Sequence, residues 1–184
     1  MNELENIIAT RIRDHDPVTF EQFMEMALYY PGLGYYTSSR EKLGFGGDFF
    51  TSCTLTPVFG YALAKQLLEM WERSGISDFT IVEYGAGTGD LARAILNYFG
   101  RCKNLPGNLD YVIIEISNNL RQVQRSALPE SVRWIESISE LRGFSGAVIS
   151  NELHDNFPVH KVEMREQLME TVVTFKGNFA EGLQ

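Results

Sequence analysis

The chain has 184 residues, 44 % hydrophobic and 22 % charged, with a formal net charge of −8. That length suits one domain able to bury roughly 70 % of its unfolded surface without a disulfide or a metal, and the ordinary composition excludes disorder of the whole chain. The acidic balance excludes nonspecific nucleic-acid binding, whose affinity comes from basic charge displacing phosphate counterions.

The first 20 residues mix Glu3, Glu5, Asp14 and Asp16 with Arg11 and Arg13, which fits neither an apolar signal-peptide core nor an acid-poor presequence. Thr19-Phe20-Glu21-Gln22 has the pattern of a capping box, and the helix it opens should stop before Pro31. Gly44, Gly46 and Gly47 mark a loop ending in Asp48. Thr56-Pro57 reads as N-cap then first helical residue, and Gly75 closes the helix that follows. The uncharged stretch 49–64 carries Thr, Ser, Pro and Gly and is too short to span a bilayer, so no membrane insertion is expected.

Beyond Gly75, short apolar runs alternate with amphipathic stretches. Strands are predicted over 79–84, 111–116, 132–135 and 147–150. Helices are predicted over 90–99 and from a Ser117 cap to Pro129, with Arg121 and Arg125 on a solvated face. Alternation of this kind indicates βαβ units and a parallel sheet. Residues 159–165 and 168–175 read as an antiparallel hairpin. Cys53 and Cys102 form no CxxC or Cys/His cluster, and His15, His154 and His160 show no metal spacing, so no metal site is expected and a reduced compartment is the default.

The most informative segment is Glu83-Tyr84-Gly85-Ala86-Gly87-Thr88-Gly89-Asp90. A strand runs into three glycines at alternate positions and then into a helix. Glycines permit a tight turn and close approach of a ligand to the backbone, and the helix N-terminus offers free amides. The spacing is GxGxG rather than GxGxxG, and Asp90 suits the helix dipole but repels phosphate. Glu115 ends the next strand, roughly 20 residues or a little more past the loop, where an acid accepts hydrogen bonds from ribose hydroxyls. A nucleoside that carries positive charge and no phosphate is S-adenosyl-L-methionine.

Glu83 through Gly89 resembles motif I of class I methyltransferases that use this cofactor, and Glu115 resembles their ribose acid. Further segments, in order, are Pro31-Gly32-Leu33-Gly34-Tyr35-Tyr36, Gly47-Asp48-Phe49-Phe50-Thr51-Ser52, Glu115-Ile116-Ser117, and Asn151-Glu152-Leu153-His154-Asp155. Together they resemble the MidA-like methyltransferases, the family containing a mitochondrial complex I assembly factor that methylates an arginine. The resemblance implies an α/β, Rossmann-like class I core, incomplete, with an N-terminal helical segment and a C-terminal β-hairpin.

It also implies that Glu83, Gly85, Gly87, Thr88, Gly89, Glu115 and Ile116 bind the cofactor. Gly47, Asp48 and Thr51 are expected to close over its methionine part. Glu152, Asp155 and Asn151 are the expected catalytic residues, orienting an arginine acceptor. A plain ordered loop is the competing reading of Asn151-Glu152.

The predicted organisation is one domain with a helical lid over 1–75, a cofactor-binding core over 76–158 and an acceptor-region hairpin over 159–184. Family members are about twice as long, so the chain is expected to be a homodimer or to lack a C-terminal half. The implied partner is a protein substrate such as a respiratory complex I subunit. The implied location is the bacterial cytoplasm, or the mitochondrial matrix in a eukaryote. The alternatives are a non-catalytic binding or assembly module and, against the GxGxG spacing, a nicotinamide-dependent oxidoreductase.

Overall fold

The computed structural model describes residues 1–38 and 56–184. The predicted Gly-rich loop, with Gly47, Asp48 and Thr51, lies outside the described residues. The chain forms two compact units, Met1–Arg40 with His154–Gln184 and, separately, Glu41–Leu153. These units cut across the predicted segments 1–75, 76–158 and 159–184. The helix before Gly75 packs on the parallel sheet, whereas the N-terminal residues pair with the C-terminal strands.

In the first unit, helix α1 (Glu3–His15) begins with a capping box between Asn2 and Glu5. Strand β1 (Val18–Thr19) leads into α2 (Phe20–Tyr29), where Thr19 and Gln22 form the predicted capping box. The predicted hairpin is present as β6 (Val162–Met164) and β7 (Leu168–Phe175), but it belongs to a larger antiparallel sheet. Strand β7 also pairs with β1 and with β8 (Phe179–Leu183). Ile8, Ile12, Val18 and Val173 form the buried centre of this unit.

The second unit holds a four-stranded sheet in the order β4-β3-β2-β5. Its strands are β2 (Asp78–Tyr84), β3 (Asn108–Ile114), β4 (Arg133–Ile135) and β5 (Gly146–Ser150). All three pairings are parallel. Strand β3 starts and ends earlier than the predicted 111–116, because Asn108 and Asp110 pair in register with Asp78 and Thr80. β-Branched enrichment locates a strand's centre, while the register with its neighbour sets its ends.

Helix α3 (Val58–Ser74) starts one residue later than predicted. Pro57 is its N-cap, and the Val58 amide donates to Thr56 Oγ1 at 3.4 Å. Helix α4 (Asp90–Phe99) follows the glycine loop, and α5 (Asn118–Ala127) follows its Ser117 cap. On one sheet face, Ala64, Leu67 and Trp71 of α3 and Leu91, Ile95 and Phe99 of α4 pack with Phe79, Ile81, Tyr111 and Ile113. Val82, Val112, Ile114 and Ile135 are buried on the other. Burial on both faces explains the nearly unbroken apolar run of β2.

Candidate cofactor site

The chain runs β2, β3, β4 to one side of the sheet and then crosses to β5 on the other side of β2. Loops leaving β2 and β5 therefore diverge at the carboxyl edge, and such a switch point is where open α/β sheets bind ligands. The glycine loop leaves β2 there, and Asn151 and Glu152 follow β5.

Gly85, Gly87 and Gly89 have φ of 62°, 56° and 84°, the left-handed region that side chains with a Cβ resist. A Cβ on Gly85 would also meet Leu153 Cδ1 at 2.7 Å. The Gly85 amide still donates to Ile114 O at 3.0 Å, so the loop begins laced to β3. The Thr88 hydroxyl donates to Asp90 Oδ2 at 2.6 Å, and Asp90 also pairs with Arg93. The Asp90 carboxylate is thus held by the loop before it and by its own helix.

Glu83 projects from β2 into the apolar face and is 2 % exposed. The Tyr111 hydroxyl donates to its Oε2 at 2.6 Å. Burial pushes the Glu83 carboxyl up to about 7, against the lowering effect of the Tyr111 bond. Glu115 lies one residue past β3 on the same face and is 5 % exposed. Burial raises its carboxyl, while the Ser117 and Ile116 amides, the Gln124 amide and the Arg121 charge oppose that rise. The Ser117 amide donates to Glu115 Oε1 at 2.9 Å. Ile116, next to it, is 65 % exposed and presents apolar surface at the strand end.

Helix α5 contributes more than its sequence indicates. Arg121 is predicted on a solvated face, yet its side chain is only 14 % exposed. Its Nε donates to Glu115 O at 2.6 Å and its Nη2 to Ile135 O at 3.2 Å, so it ties together the ends of β3 and β4. Arg125 lies over the Trp134 ring, 5.4 Å from the centroid. Gln124 is fully buried and bonded to Gly87 O, Glu115 Oε2 and Trp134 Nε1. The only signal for it in the sequence is its place one helical turn from Leu120 and Leu128.

The expected catalytic residues fall in both units. Asn151 and Glu152 end the second unit, and Glu152 has φ 53°, a conformation that costs energy in a non-glycine residue. Asp155 belongs to the first unit, in the 3-10 turn His154–Asn156. That turn is held by Tyr36, whose hydroxyl donates to Asn156 Oδ1 at 2.5 Å, and by Tyr29, whose hydroxyl donates to Asn156 O at 2.9 Å. Among the described residues no cluster of His, Cys, Asp and Glu is suited to a metal, and no helix is long and apolar enough to cross a membrane.

A parallel sheet with a left-handed glycine loop at its switch point and buried acids at two adjacent strand ends defines an α/β protein built to hold a nucleoside. Residues 62–183 match the family described as "Putative S-adenosyl-L-methionine-dependent methyltransferase", and the chain belongs to that family, the MidA-like methyltransferases. It is 30 % identical to the Danio rerio "Protein arginine methyltransferase NDUFAF7, mitochondrial", the alignment covering 86 % of this chain and 43 % of that protein. The Homo sapiens protein of the same name is 27 % identical over 85 % of this chain and 41 % of its own length. A Burkholderia thailandensis crystal structure bound to S-adenosyl-homocysteine superposes with a TM-score of 0.85 at 31 % identity, covering 98 % of this chain and 49 % of that one. The chain thus spans less than half the length of these relatives.

Proposed function

We propose that this chain binds S-adenosyl-L-methionine at the carboxyl ends of β2 and β3, and that the site serves methyl transfer to a protein arginine. The observation that carries this reading is the loop of three left-handed glycines set between two buried carboxylates, Glu83 and Glu115. A ligand with a sulfonium, an ammonium and no phosphate suits that acidic, glycine-lined surface. The bound cofactor supplies an electrophilic methyl group.

The chain's own residues hold and orient. Glu115 accepts from the ribose hydroxyls, Ile116 offers apolar surface to the purine, and Glu83 places negative charge behind the loop. Asn151 and Glu152, which follow β5, are the residues proposed to orient a guanidinium, which a carboxylate grips through two parallel hydrogen bonds. Arginine as acceptor is supported by the names of the Danio rerio and Homo sapiens relatives. The link to a respiratory complex I subunit rests on the family resemblance alone.

Calorimetric titration of the chain with S-adenosyl-L-methionine tests the site. Saturable binding that Gly87→Val abolishes is expected, since valine resists the left-handed backbone there. Unaltered binding by Gly87→Val, or preferential binding of NAD, overturns the assignment. Transfer of labelled methyl to arginine in a protein extract then tests the reaction. Binding without transfer favours the binding-module reading.

A further inference from the structure

Gln124 makes three hydrogen bonds at zero exposure, and they connect three separate pieces of the site. Its Nε2 donates to Gly87 O at 2.9 Å, in the glycine loop, and to Glu115 Oε2 at 3.3 Å, past the end of β3. Its Oε1 accepts from Trp134 Nε1, on β4, at 2.8 Å.

The orientation of the amide is fixed by chemistry. An indole N–H only donates, so it must meet the amide oxygen. A peptide carbonyl only accepts, so Gly87 must meet the amide nitrogen. With both ends determined, the second amide hydrogen is left to point at Glu115. The indole is held in turn, with Arg125 over its ring. The rest of Glu115 is anchored by the Ser117 amide on Oε1 and by Arg121 on its carbonyl. Among the described residues, no buried side-chain nitrogen or oxygen lacks a partner. A fully satisfied buried network of this kind specifies one arrangement.

We propose that Gln124 is a positioning residue, oriented by Trp134, which locks the Glu115 carboxylate to the glycine loop so that the site selects a ligand with an intact ribose diol. This rests on the cofactor reading above and adds to it a specificity determinant. Glu115 touches the ribose, and Gln124 acts through it. Replacing Gln124 by leucine removes the donor to Glu115. Replacing Trp134 by phenylalanine removes the indole donor, leaves the amide oxygen unpaired and takes away the anchor on β4, so that the side chain no longer holds its place between Gly87 and Glu115.

The test compares two ligands by calorimetry on the whole chain. They are S-adenosyl-homocysteine and its analogue with both ribose hydroxyls replaced by hydrogen. The wild type is expected to prefer the diol by at least about tenfold, the scale of one or two hydrogen bonds to a charged acceptor. Gln124→Leu and Trp134→Phe are each expected to cut that preference below about threefold, and the double variant to match Gln124→Leu. Melting curves establish that each variant is folded. Trp134→Phe keeps the test decisive if Gln124→Leu does not fold.

Equal weakening of both ligands, with the preference intact, would mean a merely structural glutamine and overturn the proposal. A wild type that binds both ligands equally well also overturns it. A wild type that binds neither overturns the cofactor reading itself.

Discussion

Glu83 links the site to the stability of the fold. Its folded-state pKa of about 7 is above the ordinary carboxylate value, so folding takes up a proton between the two. Its favourable contribution is therefore fully present below the unfolded carboxylate pKa and is lost as pH rises through about 7. Between pH 5 and pH 8 the loss should be on the order of 3 kcal/mol. Urea unfolding across that range should show the wild type losing stability relative to Glu83→Gln. Parallel pH profiles would show that this carboxyl does not titrate as described. A bound cation reverses the preference and favours the ionised form, so S-adenosyl-L-methionine should bind more tightly to the ligand-free protein as pH rises through about 7.

Glu83 and Glu115 were legible in the sequence because each stands at the end of a recognisable apolar run beside a recognisable loop. Gln124 and Arg121 were not. On an amphipathic helix a Gln and an Arg read as solvent-facing, and only partners brought in by the fold bury them, Trp134 for the first and the Glu115 and Ile135 carbonyls for the second.

At the scale of elements, the contact between α3 and α4 depends on one missing side chain. A Cβ on Gly60 would lie 2.4 Å from Ala94 Cβ, so the two helices pack there backbone against methyl. Gly60→Val should force them apart and cost about 1–3 kcal/mol in unfolding free energy, the usual cost of overpacking. It should also weaken cofactor binding, because α4 begins at the glycine loop. A Gly60→Val protein as stable as the wild type would show that the helices yield freely.

Helix ends were well marked by Thr19, Pro31, Gly75 and Ser117, each of which acts within a few residues of itself. Strand ends were less well marked, as β3 shows, because pairing with distant residues decides them. Strand β8 escaped prediction for a similar reason. Glu181 and Gly182 spoil its apolar pattern, and its pairing with β7 is what makes it a strand.

At the scale of the molecule, the two units have separate buried centres. Val173→Asp places a charge among Ile8, Ile12 and Val18 and should unfold the first unit while sparing the second. Hydrogen exchange should then report lost protection in β7 and retained protection in β2 and β3. Loss in all three would mean that the units unfold together. The division of the chain was not legible in the sequence, since nothing at Val18 or Thr19 announces a partner near Val173.

The pairing of β1 with β7 has a further consequence, for the chain as it is synthesised. Strands β6, β7 and β8 of the first sheet leave the ribosome only after β2, β3, β4 and β5 of the second, the last of which ends at Ser150. Domains form in the order in which their parts emerge. A nascent chain stalled shortly after Leu153 has cleared the exit tunnel should resist protease across the glycine loop and remain cleavable near Val18. For that interval the incipient nucleoside pocket exists while its amino-terminal neighbour is still a tether.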